Sequence, residues 1–215
     1  VDELATAMLA AGLEADISVL TGCDNRAMMD DACFHNLAHD LHAVGGRVVG
    51  DLSGGPLVEA LKGGLDLVKL SAEELEATGL SRSREPQDVL AALPALRARG
   101  ADVVLVSRAH EPLLVHDGEE MLEVSTPTFT PINHRGAGDS MTGAITAALA
   151  ASLPIREALR LAVAAGALNV TRHGLGTGDA EAVQALARTV ELGPVSGPAH
   201  AAAGGPSTTT APEPR

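Results

Sequence analysis

Short Val-rich runs alternate with longer stretches of helical periodicity along most of the chain, and this alternation constrains the fold more than any other feature. Ile17–Thr21, Arg47–Asp51, Leu65–Lys69 and Ala101–Ser107 read as strands. Around them, Asp2–Ala11, Ala27–Val44, Pro56–Lys62, Ala72–Thr78, Pro86–Arg99, Gly138–Ser152, Ile155–Thr171 and Asp179–Thr189 read as helices. Strands separated by helices belong to an α/β layer architecture with a largely parallel sheet. Segments 27–44 and 86–99 are long enough to be right-handed crossovers. Leu113–His116 and Met121–Ser125 flank the turn sequence Asp117-Gly118, which predicts an antiparallel edge hairpin in the same sheet. With no Trp or Tyr and only two Phe, the core must be built from Ala, Val, Leu and Ile.

A chain of 215 residues suffices for one substantial domain, expected here over residues 1–190. Beyond it, residues 191–215 turn to Gly, Pro, Ser, Thr and Ala, and are expected to form a disordered tail. The formal charge of −13 argues against nonspecific nucleic-acid binding. No apolar run has the length and purity of a membrane span and no signal peptide is recognisable, so a cytoplasmic protein without membrane contact is expected. Cys23 and Cys33 are expected to be free thiols, and none of the eight His has zinc-ligand spacing. The chain opens directly into a helix-like segment rather than with Met and a strand, which suggests processing or missing preceding residues.

The chemistry concentrates in Gly136-Ala137-Gly138-Asp139-Ser140-Met141, followed by small and apolar residues to Leu153. Glycines let the backbone turn sharply and approach a ligand, and the first N–H groups of the following helix have no internal partner, so they can receive an anion. An Asp beside such a cradle is repelled by bound phosphate unless a metal or proton intervenes, which suits it to accept a proton from a substrate hydroxyl. That is the outline of a phosphoryl-transfer site. The plainer alternative is an ordinary helix start carrying an N-terminal Asp.

Asn133-His134-Arg135-Gly136-Ala137-Gly138-Asp139-Ser140-Met141 resembles the second signature of the ribokinase-like sugar kinases, in the branch that includes the 1-phosphofructokinases and tagatose-6-phosphate kinases. Matching segments precede it in the same order: Val19-Leu20-Thr21-Gly22, Asp51-Leu52-Ser53-Gly54 and Val68-Lys69-Leu70-Ser71-Ala72-Glu73-Glu74-Leu75. The resemblance runs from Val1 to Thr189 and corresponds to about the C-terminal two-thirds of a usual member. It implies a ribokinase-like three-layer α/β/α sandwich with a mostly parallel central sheet and an antiparallel edge hairpin. It also implies ATP-dependent, magnesium-dependent phosphorylation of a hexose-phosphate hydroxyl. An unphosphorylated sugar or nucleoside as acceptor, or a catalytically weak binding protein, are the alternatives.

The resemblance assigns Asp139 as base and the N–H groups of Gly136, Ala137 and Gly138 as anion hole. Arg135 and His134 flank this loop where many relatives carry small polar residues, and positive charge there would stabilise the transferring phosphoryl group. Lys69 and Ser71 fall in a nucleotide-proximal element, and Glu74 would act on magnesium through water. Ser71 replaces the usual Asn and equally suits a capping box with Glu74. Ser107 and Arg108 lie where relatives approach the nucleotide, although Ala109 and Pro112 replace expected glycines. Asn169, Gly174 and Gly176 fall where relatives wrap the nucleoside. The expected partner is a small sugar or sugar phosphate. The family's N-terminal third, which supplies much of the acceptor pocket and a lid or dimer interface, is not visible in this sequence; if those residues are missing, an exposed sheet edge is expected, which invites a partner, a homodimer or aggregation.

Overall fold

The structure is a computed structural model that describes residues 2–22, 29–133 and 135–195. A seven-stranded sheet runs through it in strict chain order. Strands β1 (Ile17–Thr21), β2 (Arg47–Asp51), β3 (Leu65–Ser71) and β4 (Ala101–Arg108) are parallel. Strands β5 (Glu111–His116), β6 (Met121–Val124) and β7 (Leu192–Pro194) continue it antiparallel. The helices are α1 (Asp2–Leu13), α2 (Asp31–Ala43), α3 (Gly54–Gly63), α4 (Ala72–Ala77), α5 (Pro86–Ala98), α6 (Ala137–Ala150), α7 (Ile155–Asn169) and α8 (Ala180–Ala187).

Crossovers of one hand that always step to the next strand in the same direction must all lie on the same face of a sheet. Accordingly, Phe34 and Leu41 of α2, Leu57 and Leu61 of α3, Leu75 of α4 and Leu93 and Leu96 of α5 share one core with Val48, Val68, Leu70, Val104 and Val106. The opposite face would be bare without later helices. Met141, Ile145 and Leu149 of α6 and Leu159 and Val163 of α7 cover it, over Val49, Leu67, Leu105 and Val115. Strand alternation sorts the side chains between these layers, since successive residues point to opposite faces. The expected three-layer α/β/α arrangement, parallel sheet and edge hairpin are therefore all present.

Two segments differ from expectation. The second helix starts at Asp31, where Asp30 takes the N-cap position and its carboxylate accepts from the Ala32 N–H; the expected start at Ala27, like Cys23, lies outside the described residues. The supposed tail begins as structure: Leu192–Pro194 add β7 to the outer edge of β6, whose backbone groups would otherwise be unpaired. Ser125 and Glu191 lock its start, with Ser125 N–H donating to the Glu191 carbonyl and Glu191 N–H to Ser125 Oγ. Residues 196–215 lie outside the description. At the other edge, β1 pairs only with β2 among the described residues, and Val19 is 39% exposed. No helix among the described residues is long and apolar enough to cross a membrane.

Candidate active site

The C-terminal ends of parallel strands are where an α/β sheet offers its loops and helix N-termini to a ligand. Thr21, Asp51 and Lys69 lie side by side at those ends, Thr21 opposite Asp51 and Asp51 opposite Lys69. Alternation puts Asp51 and Lys69 on the face of Val49 and Leu67, toward α6. Lys69, only 6% exposed, donates from Nζ to both Asp51 carboxylate oxygens, at 3.0 and 3.1 Å. Asp51 Oδ2 also accepts from Thr142 Oγ, at 2.7 Å. A buried ammonium is tolerable only when paired and hydrogen-bonded, and this network does both while tying β2 and β3 to α6.

The glycine loop sits directly above. Gly136 caps α6 in the left-handed conformation, with φ of 75°, and a Cβ there would also lie 2.7 Å from Leu175 Cδ2. The helix's own ladder begins with Ser140 N–H donating to the Gly136 carbonyl, so the N–H groups from Gly136 through Asp139 precede it. A Cβ on Gly138 would lie 2.5 Å from Lys69 Nζ, so the lysine fills the space beneath the first turn. The turn thus combines the positive end of a helix dipole with a fixed ammonium below it. Arg135 is exposed beside the loop and makes no ion pair among the described residues; His134 lies outside them.

Asp139, in the first turn of α6, lies on the walls of two cavities. One, of about 460 Å³, runs between α6, α7 and the loop 172–178, and includes Ala144, Ala165, Asn169, Leu175, Gly176 and Val183. The other, of about 610 Å³, opens over the strand ends and carries Thr21, Asp31, Phe34, Asp51, Ser53, Glu74 and Asp139. The first is small-residue and apolar; the second is rich in carboxylates. A side chain bordering both can act on a molecule bridging them.

The remaining expected site residues divide. Ser71 and Glu74 form a complete capping box at α4: Glu74 N–H donates to Ser71 Oγ, and Glu74 Oε2 accepts from both the N–H and hydroxyl of Ser71. Ser71 is thereby committed to α4, while Glu74 still borders the carboxylate-rich cavity. Ser107 ends the α6-facing row of β4, in register with Ser71. Arg108, expected to approach phosphate, is turned away. Its side chain is 7% exposed, donates from Nε to the Pro112 carbonyl and pairs with Glu111 and, at 3.9 Å, Glu123. Carboxylates on the neighbouring strands β5 and β6 are thus its partners.

Ala109, in place of an expected glycine, nonetheless takes positive φ, 54°, in the two-residue loop between β4 and β5. The backbone shape is kept at the steric cost that a Cβ incurs there. Asn169 lines the apolar cavity but spends its amide on the protein, donating to the Arg135 carbonyl and accepting from the Gly176 N–H. Gly174 and Gly176 both have positive φ, and only Gly176 of the pair borders the cavity. Sequence reasoning gave no role to Asp51, Thr142 or Asp31. Asp51 had a legible signal, a charged residue ending an apolar strand; Thr142 had none, since its partner is remote in sequence.

No group of three or more His, Cys, Asp or Glu among the described residues is placed to hold a metal ion by itself.

Comparison with known proteins agrees with this layout. The pfkB family of carbohydrate kinases matches residues 14–182. A 1-phosphofructokinase of Bacillus subtilis is 30% identical over 179 residues, 83% of this chain and 58% of that protein. The ATP-dependent 6-phosphofructokinase isozyme 2 of Escherichia coli is 36% identical over 130 residues, 60% of this chain and 42% of that protein. Among solved structures, phosphofructokinase-2 of Escherichia coli in complex with potassium superposes with a TM-score of 0.75 at 28% identity, covering 86% of this chain and 62% of that one. Arabidopsis thaliana ribokinase complexed with ribose and ATP shares the fold, with a TM-score of 0.71 at 22% identity, covering 87% of this chain and 59% of that one. The chain therefore spans about two-fifths to three-fifths of the length of these relatives. From the match over residues 14–182 and the fold it shares with them, the chain belongs to the pfkB family of carbohydrate kinases.

Proposed function

We propose that this chain carries the nucleotide-binding and catalytic part of an ATP-dependent kinase that phosphorylates a hydroxyl of a hexose phosphate. The observation that carries this is the place of Asp139, in the first turn of α6 on the wall common to an apolar and a carboxylate-rich cavity. The substrate class is supported by the phosphofructokinase names of the relatives.

The apolar cavity takes the adenosine, gripped by Leu175, Val183 and glycine backbone in place of aromatic stacking. The triphosphate then points at the start of α6, where the N–H groups of Gly136, Ala137 and Gly138 meet charge as it develops on the transferred group. Asp139 accepts the proton of the acceptor hydroxyl while the acceptor oxygen bonds to the γ-phosphorus, the bond to the β-phosphate oxygen breaks, and ADP leaves. Arg135 answers phosphate charge from the exposed side, and Lys69, fixed by Asp51, supplies positive charge from below. Magnesium fits the hard carboxylate oxygens of Glu74 and would neutralise phosphate charge there.

A specific observation favours a second acceptor class. The described lining of the carboxylate-rich cavity holds Asp31, Asp51, Glu74 and Asp139 and no Lys, Arg or His, which suits a neutral sugar or nucleoside better than a phosphorylated one. ADP release measured with ATP, magnesium and a panel of free and phosphorylated ketoses separates the two. Turnover with hexose phosphates alone supports the first assignment, turnover with free sugars alone the second, and a folded protein that turns over neither contradicts both.

A further inference from the structure

Asn169 ends α7 and is only 1% exposed, and an amide so placed must find partners for its polar atoms. Nδ2 donates to the Arg135 carbonyl at 2.8 Å, and Oδ1 accepts from the Gly176 N–H at 3.1 Å. The partners fix the orientation, because the reversed amide would set oxygen against carbonyl and N–H against N–H. One side chain thus bridges the loop that starts α6 and the loop that follows α7. Those two loops also touch through Leu175, whose Cδ2 lies 2.7 Å from where a Cβ on Gly136 would be.

The Arg135 carbonyl shares a peptide plane with the Gly136 N–H. In a planar trans peptide the C=O and N–H point in opposite directions. Holding the carbonyl toward Asn169 therefore turns the Gly136 N–H away from α7. The neighbouring backbone has other anchors to α7: both Ile132 and Asn133 donate to the Val170 carbonyl, and the Asn133 side chain accepts from the Arg135 N–H. Those bonds fix the approach to the loop, but among the described residues only Asn169 holds the Arg135 carbonyl.

We propose that Asn169 is a positioning residue that makes the nucleoside loop and the anion hole one unit, so that seating the nucleoside against Gly176 and aiming the Gly136 N–H at the transferred phosphoryl group occur together. This rests on the kinase assignment above. It gives Asn169 a task other than contact with base or ribose, and it needs no movement of α6 or α7.

The test compares the 215-residue chain with Asn169→Ala and Asn169→Asp. Aspartate keeps an acceptor for the Gly176 N–H but replaces the donor to the Arg135 carbonyl, so the two halves of the bridge are separated. Calorimetric titration with magnesium and either ATP or ADP plus aluminium fluoride, a planar mimic of the transferred group, reads each half. Amide hydrogen exchange of the free proteins reads the loops directly, and thermal unfolding checks that each variant is folded.

The expected result is that Asn169→Asp binds ATP within about threefold of the original chain but loses about tenfold in its preference for the planar mimic. Asn169→Ala should lose that preference and also weaken ATP binding, with exchange rising in residues 135–138 and 175–177 together. Equal weakening of ATP and mimic in both variants would overturn the inference while leaving the kinase assignment intact, as would faster exchange in one loop alone in Asn169→Ala. If the original chain binds neither nucleotide, the kinase assignment fails and the positioning role fails with it. Should Asn169→Ala not fold, Asn169→Asp still decides through the ratio of the two affinities.

Discussion

A lysine ammonium buried under a helix N-terminus would be expelled without a counter-charge, and Asp51 is what keeps Lys69 there. Removing one member of such a pair leaves the other charge buried, so Asp51→Ala should cost about 3–5 kcal/mol in urea denaturation. Replacing both, as Asp51→Leu with Lys69→Met, should recover much of that loss; a double variant as unstable as the single one would contradict the pairing. Ala109 provides a test of opposite sign. Its positive φ is a strained conformation for any residue with a Cβ, and Ala109→Gly should raise stability by up to about 1 kcal/mol, the gain being limited by the greater freedom glycine has when unfolded. At this scale the sequence was readable where a residue's place is set by its own backbone neighbourhood, as the helix start at Gly136, Gly138 and Asp139 is. It was not readable for Arg108 or Asn169, because an exposed-looking arginine and a helix-end asparagine declare their partners only after the hairpin and the loops have closed around them.

Helix α6 shows how closely an element can be fitted to its neighbours. A methyl group on Gly138 would meet Lys69 Nζ, and the ammonium cannot swing away freely while Asp51 holds it. Gly138→Ala should therefore lower phosphoryl transfer by about tenfold or more while leaving far-ultraviolet circular dichroism unchanged; unchanged transfer would mean that the first turn tolerates displacement. The β5–β6 hairpin carries a pH prediction. Burial alone would raise the Asp117 pKa, but the N–H groups of Glu120 and Glu119 and the Arg156 guanidinium outweigh it and hold the carboxyl below its usual 3.8. Its stabilising effect is present above the unfolded pKa and is lost as pH falls through the folded one. Burial, with Arg97 nearby, lowers His116 from 6.5, so the unfolded chain takes up that proton first and stability starts to fall as pH drops below about 6.5. His116→Gln should remove the upper part of this decline and Asp117→Asn the lower part, measured as unfolding temperature against pH. Strand limits at β1 and β2 were legible because apolar runs end there in polar residues. The three-residue β7 was not, since Leu192–Pro194 becomes a strand only by pairing with β6.

The whole molecule is an asymmetric layer structure whose logic comes from chain order. Crossovers stepping one way across β1 to β4 fill one face, and the helices after the hairpin, α6 and α7, must return across the other. That return brings the glycine loop over the C-terminal ends of β2 and β3, the place where strand-end polar groups and a helix N-terminus can converge. Layer order could be anticipated from the alternation of strands and helices. The convergence of Asp51, Lys69 and Thr142 could not, because it depends on strand register and on which helix covers which face. The proposed role of Asp139 as base, from its place bordering both cavities, can be checked by one assay. That assay is ADP formation from ATP and magnesium by the original chain and Asp139→Asn, with the acceptor chosen from the ketose panel and ATP affinity measured for both proteins. Turnover should fall by about 10²–10⁴-fold while ATP affinity stays within a few-fold; a variant that turns over as fast as the original would rule Asp139 out as the base.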